Sequence, residues 1–364
     1  MTNRWLGFIT AAVTCGQLGT AQVAVAGGKN IRVEFDGAMR SRVIAVLDGR
    51  EHVIGAFTPS ETVQVSNANI PDFSVVAHKR DSVRDQLGLG SRTVITGSAG
   101  PLKKVEAVTT YDAFPRMAFF DVEYANIGTN DLHVGGWINQ HYSISSDEAA
   151  KQPAFWSYQS GSYEKRPDWV LPLTLGFKQE NFMGMNSSDY GGGTPVVDVW
   201  RRDVGLAVGH LERAPKLVSL PVTMPDAGHA SVAVEYRHGH VLRPGESMKT
   251  FRTFVAIHGG DYFQALRDYR DVMIAERSVR FDAAPESAFG PIWCAWGYGR
   301  KMTKNQLFGT LPVVKKLGFT WVTLDDGWQT AQGDWLLNPQ KYPSGDADMR
   351  AMVDKIHAEG FKAQ

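Results

Sequence analysis

Asp325 and Asp326 stand side by side at the point where an apolar run, Phe319 to Leu324, turns abruptly polar. Adjacent carboxylates repel, so this placement costs stability unless a ligand or a cation uses them. Each carboxylate accepts hydrogen bonds from hydroxyl groups, and two together can grip neighbouring hydroxyls of one sugar ring. Gly327 permits a tight turn, and the aromatic face of Trp328 suits the apolar face of such a ring. Asp334-Trp335 repeats the pairing on the following loop. The competing reading makes Asp-Asp-Gly a plain turn and the tryptophans core. A metal is a third use for the pair, yet no histidine lies near them in sequence. His229, His238 and His240 show no metal-ligand spacing, and His357 fits a helix face.

Upstream, Pro291-Ile-Trp-Cys-Ala-Trp296 is a second apolar run. Trp293 and Trp296 are out of phase on a regular strand, so both face one way only across a bulge or bend. Trp296, nearer the end of the run, is the better ligand contact and Trp293 the better packing residue. Cys294 reads as a small buried residue.

The elements needed to position these residues follow from periodicity. From Gly290 the pattern is strand, helix, strand, helix and the first residues of a third strand. Thr303 caps the first predicted helix and Gly318 ends it, with Leu307, Leu311, Val314 and Leu317 on its buried face and Pro312 as an expected kink. Met349, Met352, Val353 and Ile356 line the second helix, which Gly360 ends. Alternating β and α implies a parallel sheet, and in a parallel β/α barrel the strand ends carry the functional side chains. A complete barrel needs about 250 residues, far more than 290–364 supplies. The expectation is therefore the first two β/α units of a (β/α)8 barrel, truncated at the third strand, with an exposed parallel edge.

Ahead of it, from about Ile31 to Ile257, short alternating runs are broken by turn signals such as Asp48-Gly49, Gly191-Gly-Gly193 and Pro244-Gly245. This predicts a large antiparallel β-sandwich over 27–258. Asp261 to Glu276 has helical spacing, and 259–288 reads as a linking helix and connector. The class is thus multidomain: β followed by α/β.

Residues 1–26 resemble a secretory signal, with Arg4, an apolar Trp5–Val13 stretch and Ala24-Val-Ala26 as a cleavage site. Secreted or periplasmic localisation is the corresponding expectation. Removing this segment with Cys15 leaves Cys294 alone, so no intramolecular disulfide is expected. The 364 residues carry 38 basic and 38 acidic side chains, which removes the electrostatic case for nucleic acid or an anionic membrane. The 10 Trp, 11 Tyr and 18 Phe are compatible with sugar-stacking surfaces and equally with a large β core.

Trp293-Cys-Ala-Trp-Gly-Tyr-Gly299, Leu324-Asp-Asp-Gly-Trp328, Gly333-Asp-Trp335, Asn338-Pro-Gln-Lys-Tyr-Pro343 and Ile356-His-Ala-Glu-Gly360 together resemble the barrel start of glycoside hydrolase family 36. This is the melibiase group of α-galactosidases, with raffinose-synthase-like relatives. The resemblance implies retaining hydrolysis of terminal α-galactosides by two aspartates at the ends of the fourth and sixth barrel strands, beyond residue 364. It implies a sugar clamp at Asp325 and Asp326, Trp296 as a pocket wall, and lesser contacts at Trp328 and Trp335. No metal or cofactor is expected. The expected partner is an α-galactoside oligosaccharide or glycoconjugate, with a homo-oligomer possible. A galactosyl transferase and a non-catalytic carbohydrate-binding protein are the alternatives.

Overall fold

A computed structural model describes residues 22–146, 153–160, 169–182, 184–186, 189–214, 216–280 and 282–364. Most of the predicted leader and part of the Gly191-Gly-Gly193 region's surroundings lie outside them. The chain forms two compact units, divided after Arg280.

The first unit is built from three antiparallel sheets and a hairpin. The largest sheet runs, in spatial order, through Val170–Pro172, Trp156–Tyr158, Val196–Trp200, Gly205–His210, Thr253–His258, Phe114–Asn126, Leu102–Tyr111, Gly88–Ala99 and Ser74–Asp85. Ser247–Lys249 adds to Phe114–Asn126. A six-stranded sheet centres on the paired Leu132–Ser145 and His229–Leu242 strands, and a four-stranded one spans Ala24–Gly27 to Arg50–Val53. All three contribute to one core, in which Phe35, Phe73, Phe120, Tyr124, Trp137 and Val255 are buried.

The central strands of the large sheet are buried on both faces. In Phe114–Asn126, Ala118, Phe120, Val122 and Tyr124 face the inter-sheet core, while Met117 and Phe119 face a second cluster. In Thr253–His258, Val255 and Ile257 alternate with Phe254 and Ala256 in the same manner. The cover on the second face is the helix Tyr262–Ala275, which buries Ala265 and Val272 there. Arg116 donates two hydrogen bonds to Asp268, at 3.0 and 2.7 Å, and Asp261 caps the helix by accepting from the Phe263 N–H. Residues 259–288 are expected as a linking helix and connector; the helix belongs to the first compact unit, where its apolar stripe completes the second core. The sandwich also begins before the expected boundary at 27: Ala24–Gly27 is a strand paired with Ile31–Phe35, and Ala24 and Ala26 are buried. A cut after Ala26 would remove that strand's core side chains.

The second unit is a three-stranded parallel sheet, Ile292–Cys294, Trp321–Thr323 and Lys362–Ala363, with helices Lys304–Lys316 and Asp346–Ala358. Thr303 and Gln306 form a reciprocal capping box at the first helix, which buries Leu307, Leu311 and Val314. That helix is continuous through Pro312 to Lys316 rather than interrupted there. Leu317, expected on its buried face, is exposed. The second helix buries Met352 and Ile356, and Gly360 beyond it has φ +90°.

Candidate sugar-binding site at the parallel strand ends

Parallel register places the first two strands level with each other: Ile292 is opposite Trp321 and Cys294 opposite Thr323. Ala295–Tyr298 and Leu324–Trp328 therefore leave the sheet at the same end. The first strand is shorter than the apolar run, and Ala295–Tyr298 is a 3-10 turn. Trp296 thus sits in that turn, which resolves its phase conflict with Trp293. Trp296 is 46% exposed, whereas Trp293 is half-buried and packs against the core of this unit.

The Asp-Asp-Gly-Trp segment is a tight turn held by its own surroundings. Asp325 has φ +46°, and its Oδ1 accepts the Asp326 N–H at 2.6 Å. Its Oδ2 accepts from the Cys294 thiol at 3.0 Å. Those two donors, the thiol first, hold the Asp325 carboxyl below the ordinary aspartate range. Cys294 is therefore not an inert packing residue; it is half-buried and oriented onto the first aspartate.

Asp326 points elsewhere. Its Oδ2 lies 2.6 Å from an Arg300 guanidinium nitrogen, and its Oδ1 accepts from the Gln329 amide at 3.0 Å. The expected repulsion between the two carboxylates is relieved without any ligand, since a cation of this chain neutralises one of them. Gly327, at φ +103°, lies against the Arg300 backbone: a Cβ there would come within 2.6 Å of the Arg300 carbonyl oxygen. The Lys341 ammonium ties the same two segments together by donating to the Arg300 and Gly327 carbonyls. Arg300 and Gln329 lie in no quoted motif, while Lys341 within Asn338–Pro343 and Cys294 within Trp293–Gly299 carry no local sign of what they contact. All four act through contacts that turn geometry alone reveals.

A cleft of about 840 Å³ brings Asp325, Trp328 and Trp335 together, with Leu337, Met349 and His357 on its other walls. The Trp328 and Trp335 rings are 5.9 Å apart and tilted by 32°. Trp335 is 73% exposed and has φ +54°. Asp334 is engaged within its own loop, accepting from Thr330 Oγ1 and from the Leu336 N–H. Asp326 and Trp296 do not line this cleft. The cleft offers two exposed carboxylates, Asp325 and Asp346, neither with a cationic partner among the described residues, and two aromatic faces beside Asp325, an arrangement suited to a polyhydroxylated ring. Among the described residues, no three His, Cys, Asp or Glu side chains are grouped to hold a metal ion.

No protein-family model matches the chain. Over 362 residues it is 27% identical to an A type blood α-D-galactosamine galactosaminidase of Flavonifractor plautii, covering 96% of this chain and 32% of that protein. A family 36 α-galactosidase of Geobacillus stearothermophilus, solved as a variant in complex with raffinose, matches with a TM-score of 0.53 at 14% identity, over 94% of this chain and 56% of that one. The α-N-acetylgalactosaminidase NagBb of Bifidobacterium bifidum, in complex with GalNAc, matches with a TM-score of 0.55 at 13% identity, over 94% and 58%. The chain therefore spans about a third of the curated relative and somewhat over half of these solved structures. Over the matched residues it is similar to these enzymes and shares the fold of the solved family 36 structure.

Proposed function

We propose that this chain supplies the β-sandwich and the first β/α units of a (β/α)8 barrel in a retaining glycoside hydrolase that removes terminal α-galactosides. The observation that carries this reading is the exposed Asp325 carboxylate beside Trp328 and Trp335 at the end of a parallel strand. In the proposed site, Asp325 accepts hydrogen bonds from sugar hydroxyls and Trp328 and Trp335 bracket the ring. Asp326 is a second acceptor once a hydroxyl competes with Arg300, and Trp296 forms a wall nearer the first strand. The acid and the nucleophile, set about 5 Å apart in retaining enzymes, are proposed to lie beyond residue 364. The galactosaminidase named among the relatives favours a second substrate reading, in which the terminal sugar is an α-linked galactosamine. Export is proposed with a cut ahead of Ala24, for which Gly19-Thr-Ala21 offers small residues at the right spacing.

The test is turnover of nitrophenyl α-galactoside, α-N-acetylgalactosaminide and α-galactosaminide by this chain and by the product of its reading frame extended past residue 364. The extended protein should cleave at least one of the three, and the 364-residue chain none. An extended protein that binds galactosides without cleaving any would establish the carbohydrate-binding alternative. Comparable turnover by the 364-residue chain would show that the catalytic pair lies within it.

A further inference from the structure

The sandwich core holds a cluster of three ionisable side chains for which sugar chemistry gives no role. Glu61, Lys104 and Glu106 are all fully buried. Lys104 and Glu106 stand two apart on Leu102–Tyr111 and point inward, while the intervening Val105 is less buried than either. Glu61 leads into Thr62–Val65 of the six-stranded sheet, so the three groups meet where two sheets dock. Lys104 Nζ lies 3.0 Å from Glu106 Oε2 and 3.6 Å from Glu61 Oε2, with the Phe73 ring 5.5 Å away. Two carboxylates against one ammonium leave one uncompensated negative charge in an apolar core, which a buried group avoids by taking up a proton.

The hydrogen bonds distinguish the two carboxyls. Glu61 accepts from Ser60 Oγ at 2.5 Å and from the Gln140 amide at 3.4 Å. Neither oxygen of Glu106 has a hydrogen-bond partner among the described residues, although the Lys104 ammonium is close. Two further acceptors, Gln140 Oε1 and Asn139 Oδ1, are also buried without a donor among those residues. We infer that Glu106 is held as the neutral acid beside a Glu61–Lys104 ion pair, so that docking of the two sheets is linked to one proton whose loss loosens the sandwich.

Burial, and then the Glu61 charge, push the Glu106 carboxyl up to about 8. The other titratable groups acting on the cluster supply no compensating cation. Burial keeps the Tyr124 and Tyr142 phenols neutral, far above their ordinary range, and lowers His141 towards its neutral form. Asp72 is ionised against Arg40. An unfolded glutamate titrates near 4.3, so the folded chain binds the extra proton between that value and about 8. The stability this proton provides is complete below the unfolded value and is lost as pH rises through the folded one.

The test is thermal unfolding of the full chain and of Glu106→Gln, an uncharged isostere, from about pH 6 to about pH 9.5. The native chain should lose several degrees of Tm across that range. Glu106→Gln should match it at the acidic end, lose less, and exceed it at the basic end. Parallel curves, or a Gln variant depressed equally at every pH, would overturn the inference. If Glu106→Gln does not fold, carboxyl carbon NMR of the native chain decides: one glutamate should titrate near 8, and titration of every glutamate in the ordinary range would refute it.

Discussion

The two units solve the problem of holding a sheet in opposite ways. In the first, central strands such as Thr253–His258 are buried on both faces, and even the ionisable groups between the sheets are enclosed. In the second, three parallel strands carry a small core while Ile292, Trp296, Trp335 and Leu336 stay largely exposed. Its strand-end turn is fixed by polar locks instead: Arg300 on Asp326, Lys341 on two carbonyls, and the Cys294 thiol on Asp325. Stability and the proposed recognition are thus divided along the chain. Burial supports the sandwich, whereas hydrogen-bond geometry shapes the strand-end surface proposed to meet a sugar.

This contrast breaks first, and by the largest amount, if truncating a sandwich side chain is harmless. Phe254 is fully buried, and its ring lies 5.9 Å from that of Tyr269 on the covering helix. Phe254→Ala should cost about 3–5 kcal/mol in urea unfolding of the first unit. A loss below about 1 kcal/mol would mean that the second core contributes little. Next comes Gly327→Ala in the second unit. The added methyl meets the Arg300 backbone at 2.6 Å, and φ +103° is unfavourable for any side chain. A loss of about 1–3 kcal/mol is expected, read as earlier amide exchange in the Trp321–Thr323 strand.

How far the sequence revealed these features depended on how local their cause was. The Lys304–Lys316 helix was readable from Thr303 and the spacing of Leu307, Leu311 and Val314, because caps and amphipathic stripes are encoded within a few residues. The polar end of the Trp321–Thr323 strand was equally plain. The Arg300–Asp326 and Cys294–Asp325 contacts were not, since each joins residues 26 or more positions apart that only parallel register brings together. Lys104 and Glu106 were hidden for a different reason. Alternation around Val105 and Ala107 suggests that the apolar residues face inward, yet tertiary docking turns the charged pair to the core. The burial of Met117 and Phe119 on the second face was not legible from alternation, because the helix that covers them lies more than 140 residues later in the chain.

A smaller effect tests the polar locks. Asp326→Ala removes the Arg300 pair and the Gln329 hydrogen bond, and Arg300 is largely exposed. The loss should be about 1 kcal/mol, and Asp326→Asn, which keeps an acceptor for Arg300 but no charge, should recover part of it. No change of stability in either variant would leave the turn fixed by Gly327 and Lys341 alone.

The smallest structural effect belongs to Asp325, and it separates recognition from stability most cleanly. Its partners are a thiol and a neighbouring N–H, neither of them cationic, and the group is exposed. Asp325→Ala should therefore change stability by no more than about 0.5 kcal/mol at neutral pH. Because the Asp325 carboxyl is held below its ordinary value, its small contribution exists above about pH 3.9 and disappears as pH falls through the folded value. Losing a charged acceptor of sugar hydroxyls should cost about 1.5–3 kcal/mol of binding. In the extended protein, galactoside affinity should fall accordingly while the melting curve stays in place. Affinity that survives in a variant that melts early would identify Asp325 as a turn residue and move the sugar contact to Trp328 and Trp335.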